Sequence, residues 1–446
     1  MGNFSLLLIS YGLYISYKPL YVFILLWVTV VTYLSALFLS NISRRESNSA
    51  KLLYAASIVL TLLPLCLFKY LNFINSIISG VFFSLGLSIS LQGLNWALPL
   101  GLSFFTLQAI GYLSDVYHAR IKVEKNWWDY MLFVSFFPQI ASGPISKAKD
   151  LLPQIKAQRS FDYDRAVQGM KWIMWGMFMK VVMADRVGIY ADSIFNNFEH
   201  LSGFSCFIGS VLYTFQIYGD FAGYSFMAVG VGELLGFELI NNFQRPYFSQ
   251  SITEFWHRWH ISLSTWLKDY IYIPLGGSRC SKTRNYFNIL LTFLVSGIWH
   301  GANWTFIVWG GLHGLFQIVE KMLHLQKTSS VGFTKAVRIL ITFLLVNFAW
   351  IFFRMPSLDQ AMDMIARIFL NHDMTIAEIT PAMALFILMS ISIVFIKDIC
   401  DECSERKYTL LHLENIYARW SVYVILVGII VTCGVFDASQ FIYVNF

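Results

Sequence analysis

Apolar residues run in long stretches from one end of this chain to the other, and polar residues are confined to the short intervals between them. A helix needs ~20 apolar residues to cross ~30 Å of hydrocarbon, because lipid offers backbone groups no partner outside the helix itself. The pattern predicts helical segments at roughly 20–40, 51–70, 77–93, 97–117, 166–184, 203–218, 222–237, 286–300, 302–323, 335–353, 380–397 and 419–436. A shorter apolar lead at 4–17 predicts one more. It reads as a retained helix, since no small-residue cleavage site followed by a polar mature chain is present. That makes about eleven to thirteen segments, several below spanning length and so expected to be re-entrant or buried.

Composition removes the alternatives. Of 446 residues, 57% are hydrophobic and 13% charged, against ~45–50% and ~25% for a soluble domain. Charges this scarce cannot cover a globule of that size, and the mean hydropathy is +0.59. The expected class is an all-α polytopic membrane protein, one integral domain over residues 1–446. The net charge of +6 calls for no nucleic-acid partner, because Lys and Arg collect in cytoplasmic loops. Cys66, Cys206 and Cys433 lie in apolar stretches, so no disulfide framework is implied, and the Cys400–Cys403 pair lacks the second pair that zinc would need.

Three basic intervals read as cytoplasmic. They are Arg44, Arg45 and Lys51; Lys147, Lys149, Lys156, Arg159 and Arg165; and Arg279, Lys282 and Arg284. Counting simple crossings places Arg120, Lys122 and Lys125 on the opposite side, which conflicts with the same rule. The conflict disappears if 77–93 does not cross fully.

Ionisable residues at membrane depth are the informative ones, since each costs free energy and lines a cavity or a path. Here they concentrate between residues 213 and 324. Tyr218-Gly219-Asp220-Phe221-Ala222-Gly223-Tyr224 sets an aspartate between glycines. Close helix packing, with Asp220 paired to a donor, accounts for it without a catalytic role. Next, the stretch from Thr253 to Tyr270 is two-faced at helical spacing: Trp256, Trp259, His260, Leu263 and Leu267 on one side, Glu254, Arg258, Ser262, Thr265 and Asp269 on the other. Such a helix belongs at the interface. His260 is out of place on its tryptophan-lined face.

A second histidine stands in Ser296-Gly297-Ile298-Trp299-His300-Gly301-Ala302-Asn303-Trp304. His300, Asn303 and Trp304 at i, i+3 and i+4 are expected to line one wall, and Gly297 and Gly301 permit close approach of another backbone or a narrow ligand. On an unbroken helix His313 would lie ~20 Å further along and ~220° around, so it shares a site with His300 only if the helix breaks near Gly301. His313, Gln317, Glu320 and His324 form a stripe of their own, read as a cavity wall or helix contact.

No metal site is expected, because HExxH and Cys/His clusters are absent; so are GxSxG, Walker and Rossmann patterns. Imidazole, aromatic and small residues remain. That set suits deprotonation of a hydroxyl and transfer of an acyl group from a thioester, because a buried imidazole stays neutral and a thiolate leaves with little acid assistance. Spacing alone leaves this open.

The run Phe255-Trp256-His257-Arg258-Trp259-His260-Ile261-Ser262-Leu263-Ser264-Thr265-Trp266, then Asp269-Tyr270-Ile271-Tyr272-Ile273-Pro274-Leu275-Gly276-Gly277, then Gly297 to Trp304, resembles the membrane-bound O-acyltransferase family. The similarity extends to Leu98–Thr106, Phe137-Pro138-Gln139 with Gly143-Pro144-Ile145, and Phe441-Ile442-Tyr443, and so spans most of the chain. More closely it resembles the bacterial branch of alginate and peptidoglycan O-acetyltransferase membrane subunits and the D-alanyl transfer protein of teichoic acids. The lead before residue 20 is shorter than in that branch.

The resemblance implies a ring of helices around a thinned centre, with a tunnel between the two membrane faces. It puts the family's essential histidine on His300 and its preceding polar partner on His260. Trp256, Trp259, Trp299, Asn303, Trp304 and His313 become the candidates for lining the tunnel, and Asp220 stays structural. No permanently bound cofactor is implied. The donor would be acetyl-coenzyme A or a carrier-protein thioester arriving from the cytoplasm, and the acyl group would pass to an exported polysaccharide through an extracytoplasmic partner of SGNH-hydrolase type. The setting would be the cytoplasmic membrane, crossed several times. Acetyl transfer is favoured over D-alanyl transfer by the chain length and the Leu275–Arg279 run. A transporter would show inverted repeats in matching halves, whereas the polar residues here fall in one half.

Overall fold

The computed structural model describes residues 2–42, 47–87, 93, 96–141, 143–326, 331–404 and 409–436. Among these every regular element is a helix. They form two compact units, one of residues 2–162 with 232–240, the other of 163–231 with 241–436. Arg44 and Arg45, and the Phe441-Ile442-Tyr443 motif, lie outside the described residues.

The first unit holds α1 (Asn3–Tyr17), α2 (Val22–Asn41), α3 (Asn48–Ser84), α4 (Leu102–Tyr117), α5 (Trp127–Ser135) and α6 (Ala148–Lys156). The expected crossings 51–70 and 77–93 are one helix, α3, of 37 residues; positions 88–92 lie outside the described residues. Ser47 caps its start by accepting from the Ala50 amide. Pro64 removes one donor mid-helix, and the chain absorbs the gap with a π turn over Cys66–Tyr70 and continues. One crossing in place of two reverses the parity that set the basic stretches apart. Accordingly Lys156 Nζ meets Glu124 Oε2 at 2.5 Å, which places the 120–125 and 147–156 stretches at the same end of this unit.

The Leu98–Thr106 and Phe137–Ile145 motifs meet in this unit and serve packing. Gly101 opens α4 at φ +69, and a Cβ there would stand 1.8 Å from the Ile140 carbonyl oxygen, so only glycine fits. Gln139 donates to Gln108 Oε1 at 2.9 Å and accepts from Ser146 at 2.7 Å. This chain satisfies the buried amides.

The second unit holds α7 (Tyr163–Met177), which passes through a π turn into α8 (Asp185–Asn197), then α9 (Gly203–Leu234), α10 (Ile252–Arg258), α11 (Ile261–Leu267), α12 (Lys282–His300), α13 (Trp304–Met322), α14 (Gly332–Arg354), α15 (Leu358–Leu370), α16 (Pro381–Cys403) and α17 (Ile416–Cys433). The expected segments 203–218 and 222–237 are again a single helix, α9, of 32 residues. Gly219 and Gly223 sit within it as packing residues, not breaks. Across both units five helices are long and apolar enough to cross a membrane: 19–41, 48–84, 332–354, 381–403 and 416–433.

The two ends of the second unit differ in charge. At one end Asn303 donates to the Pro356 carbonyl, Arg354 pairs with Asp192 at 2.7 Å, and Tyr190 donates to the Ala377 carbonyl. Asp359, Asp363, Asp373 and Glu378 lie in the segments gathered there. At the other end Glu402 accepts from Arg245 at 2.9 Å and Arg258 at 2.8 Å. Arg338 reaches the Gln250 carbonyl, and Arg279, Lys282 and Arg284 precede or open α12 on that side. The basic end therefore faces the side from which α12 starts, and His300 ends α12 toward the acidic one.

Candidate active site

The expected continuous helix from Thr253 to Tyr270 is broken in two. Trp259 leaves helical geometry at φ −108, and His260 takes the left-handed conformation, φ 44 and ψ 52. For a residue other than glycine this costs roughly 1–3 kcal/mol and persists only where surroundings enforce it. The segment before α10 does so: the Ile261 amide donates to the Asn242 carbonyl (3.1 Å), the Ser262 amide to Asn242 Oδ1 (3.0 Å), and the Gln244 amide to the Arg258 carbonyl (2.9 Å). Tertiary partners thus take the hydrogen bonds a continuous helix would have used. The expected polar face survives only within α10, where Glu254 and Arg258 pair at 2.6 Å. His260 itself is fully buried. Burial pushes its imidazole down to about 3, so it is neutral near pH 7 and free of the cost of a buried charge.

His300 is the last residue of α12, and Gly301 is extended at φ −164. The wall expected from His300, Asn303 and Trp304 therefore does not form. Asn303 caps α13 by accepting from the Thr305 amide at 3.2 Å and donates to Pro356 O at 2.6 Å, while Trp304 is half exposed. The turn instead folds α13 back along α12. A Cβ on Gly297 would stand 2.3 Å from Phe306 O, and one on Gly310 would stand 2.3 Å from Phe293 O. That backbone contact brings His300 and His313 onto the same indole. Ring centroids lie 4.9 Å apart for His300–Trp309 and 5.0 Å for His313–Trp309. The helix break that a shared site requires is present.

Trp256 donates from Nε1 to His313 Nδ1 at 3.3 Å, which puts the proton of neutral His313 on Nε2. On the other side, His260 lies 4.6 Å from Phe221 and 6.1 Å from Trp299, and Trp299 lies 4.9 Å from His300. Trp299 thus flanks both imidazoles. Trp259 packs on Trp350 at 5.2 Å, and Trp350 stacks on Trp309 at 5.7 Å. The His313 stripe divides: Gln317 lines a cavity, Glu320 accepts from the Ile252 and Thr253 amides at the start of α10, and His324 lies past the helix end at φ 57.

A cavity of about 310 Å³ opens beside this aromatic box. Trp256, Ile289 and Phe293 line its apolar part, and His257, Lys268 and Lys321 its polar part. A second cavity of about 330 Å³ is lined by Cys280, Lys282, Tyr286 and His324, and Lys321 and Gln326 belong to both. Sequence reasoning named Lys282 but missed Lys268 and Lys321. Lys321 follows His313 and Gln317 at i+8 and i+4, a periodicity that extends the stripe and could have marked it. Asn242, eighteen residues before His260, left no local signal.

Asp220, next to the Phe221 that packs on His260, belongs to a buried ion-pair cluster. It pairs with Lys180 at 2.6 Å, and Lys180 also meets Asp185 at 2.6 Å. Asp220→Asn is expected to lower the melting temperature while specific activity stays within about twofold. The loss should fall below the roughly 3–5 kcal/mol of a fully broken buried pair, because Asp185 still compensates Lys180. Normal melting with complete loss of transfer would show instead that Asp220 belongs to the reaction.

Among the described residues no three His, Cys, Asp or Glu side chains stand together as a metal site. The model of the membrane-bound O-acyltransferase family matches residues 13–358. The chain is 37% identical over 380 residues to the probable alginate O-acetylase AlgI of Azotobacter vinelandii, covering 85% of this chain and 75% of that protein. It is 36% identical over 385 residues to the peptidoglycan O-acetyltransferase of Helicobacter pylori, covering 80% and 72%. To the teichoic acid D-alanyltransferase of Streptococcus thermophilus it is 30% identical over 282 residues, covering 57% and 68%. With its five apolar helices it is a multi-pass membrane protein, and on the family match over most of its length the chain is an O-acyltransferase belonging to the membrane-bound O-acyltransferase family.

Proposed function

We propose that the protein moves an acetyl group from a cytoplasmic thioester toward a hydroxyl of an exported polysaccharide or cell-wall glycan, with His300 as general base. His300 accepts the hydroxyl proton, the alkoxide oxygen attacks the thioester carbonyl, and the tetrahedral adduct expels the thiolate, which takes the proton back from the imidazolium. His260 orients the acceptor or His300 and has the smaller effect. The observation that carries this reading is the burial of His300 in an aromatic enclosure against Trp309, whose neighbour Trp256 lines a cavity with two lysines on its wall.

The donor enters at the basic end. An anionic thioester, acetyl-coenzyme A or a phosphopantetheine arm, matches a cavity apolar toward Trp256 and Phe293 and cationic at Lys268 and Lys321. The same charge asymmetry supports a cytoplasmic membrane location with Arg279, Lys282 and Arg284 inside. Acetyl is favoured over D-alanyl because the two acetyl-transferring relatives match more of the chain at higher identity. Where the hydroxyl acylated at His300 is that of an intermediate acceptor, an SGNH-hydrolase-type partner on the outer side would pass the acyl group on to the glycan.

The test uses inverted membrane vesicles and radiolabelled acetyl-coenzyme A, with label counted in polysaccharide. Lys268→Ala with Lys321→Ala is expected to raise the donor KM about tenfold, leave kcat nearly unchanged, and flatten the salt dependence of the rate, since uniform binding affects KM alone. An unchanged KM in a correctly inserted double variant would remove the donor site from this cavity. Absence of any transfer from acetyl-coenzyme A, with transfer from an acyl-carrier thioester, would replace the donor.

A further inference from the structure

Two of the three hydrogen bonds that hold the turn at His260 come from one residue outside α10 and α11. α11 begins without a side-chain cap of its own; Asn242 supplies the cap from a distant segment through two acceptors, its main-chain carbonyl to the Ile261 amide and its Oδ1 to the Ser262 amide. These bonds fall on the two residues that follow His260. Phe243, next along, packs edge-on to Trp259 at 5.0 Å and to Phe221 at 5.0 Å, and Phe221 in turn lies 4.6 Å from the His260 ring. Asn242 is 0% exposed, and its Nδ2 has no hydrogen-bond partner among the described residues. Only the acceptor side of the amide is engaged. A buried amide is an expensive way to cap a two-turn helix unless the conformation it enforces is needed, and here that conformation is the left-handed turn that carries a site histidine.

We propose that Asn242 is a positioning residue for acyl transfer, holding His260 in its left-handed conformation through Oδ1 and the main-chain carbonyl so that the imidazole is presented to the reaction. The inference rests on His260 taking part in catalysis, as argued above. It separates the two functions of the side chain: the Oδ1 acceptor is required and the Nδ2 donor is dispensable. Aspartate keeps the first and discards the second, and it is as good an acceptor for a helix-start amide as asparagine.

The full-length protein in inverted vesicles, assayed with radiolabelled acetyl-coenzyme A, tests this. Asn242→Ala is expected to lower kcat about tenfold with the donor KM unchanged, and Asn242→Asp to restore it to within about twofold. In a His260→Ala background, itself slowed, Asn242→Ala should add less than about twofold, because residues acting through one group are not additive. Should Asn242→Ala fail to accumulate, Asn242→Ser takes its place, its hydroxyl being too short to reach the Ser262 amide. Full additivity with His260→Ala, or no rescue by aspartate, would overturn the proposal and leave the role of His260 standing. A His260→Ala protein with the wild-type rate would remove both.

Discussion

Replacing His300 with alanine is expected to reduce acyl transfer at least ~10²-fold, the scale lost with a general base, while the protein remains inserted and folded. The imidazole ends α12, is 4% exposed, and is held between Trp299, Trp309 and Phe353 at ring separations of 4.9, 4.9 and 5.3 Å. Trp299 flanks both His260 and His300, and His313 Nδ1 accepts from Trp256. The deletion also leaves a void among the rings, so rate and melting temperature must be measured together. His300→Gln, which fills more of the space but is not basic, separates the two effects. Near-normal transfer by a well-expressed His300→Ala protein would sink the assignment.

The second large effect is expected far from any proton. Gly297→Val or Gly310→Val should abolish both transfer and cooperative melting. Each introduces a Cβ that would stand 2.3 Å from a carbonyl oxygen of the facing helix, and backbone cannot step aside as a flexible side chain can. Overpacking typically costs 1–3 kcal/mol, and about that or more is expected here because whole helices must separate. Separation would also pull Trp309 away from His300 and so remove the enclosure. Gly311→Val is the control within the same helix, since a Cβ there meets only Leu294 at 3.8 Å. Wild-type melting and transfer in Gly310→Val would mean that the close crossing is not what places His300.

Much of this was written in local patterns. Lipid forces every backbone group into a helix, so runs of apolar residues were enough to predict an all-helical chain. The same logic singled out His260 and His300, because imidazoles are rare among tryptophans and leucines. Helix ends were less legible. The π turn after Pro64 lets α3 run on to Ser84, and nothing in 51–93 distinguishes one long helix from two. The Asn303 wall failed for a related reason: helical spacing assumes a helix, and Gly301 ends it.

What the sequence by itself determined was class and family, and it nominated His260 and His300 as candidates, since these readings depend on composition and on residues adjacent in the chain. What only the tertiary structure decided was geometry: the break at His260 imposed by Asn242, the folding of α13 onto α12 that puts His300 and His313 on Trp309, and the lysines that gather at the cavity. The reason is that hydrogen bonds and packing between segments distant in sequence can outweigh the local i to i+4 preference, and no local pattern records which distant group will make them.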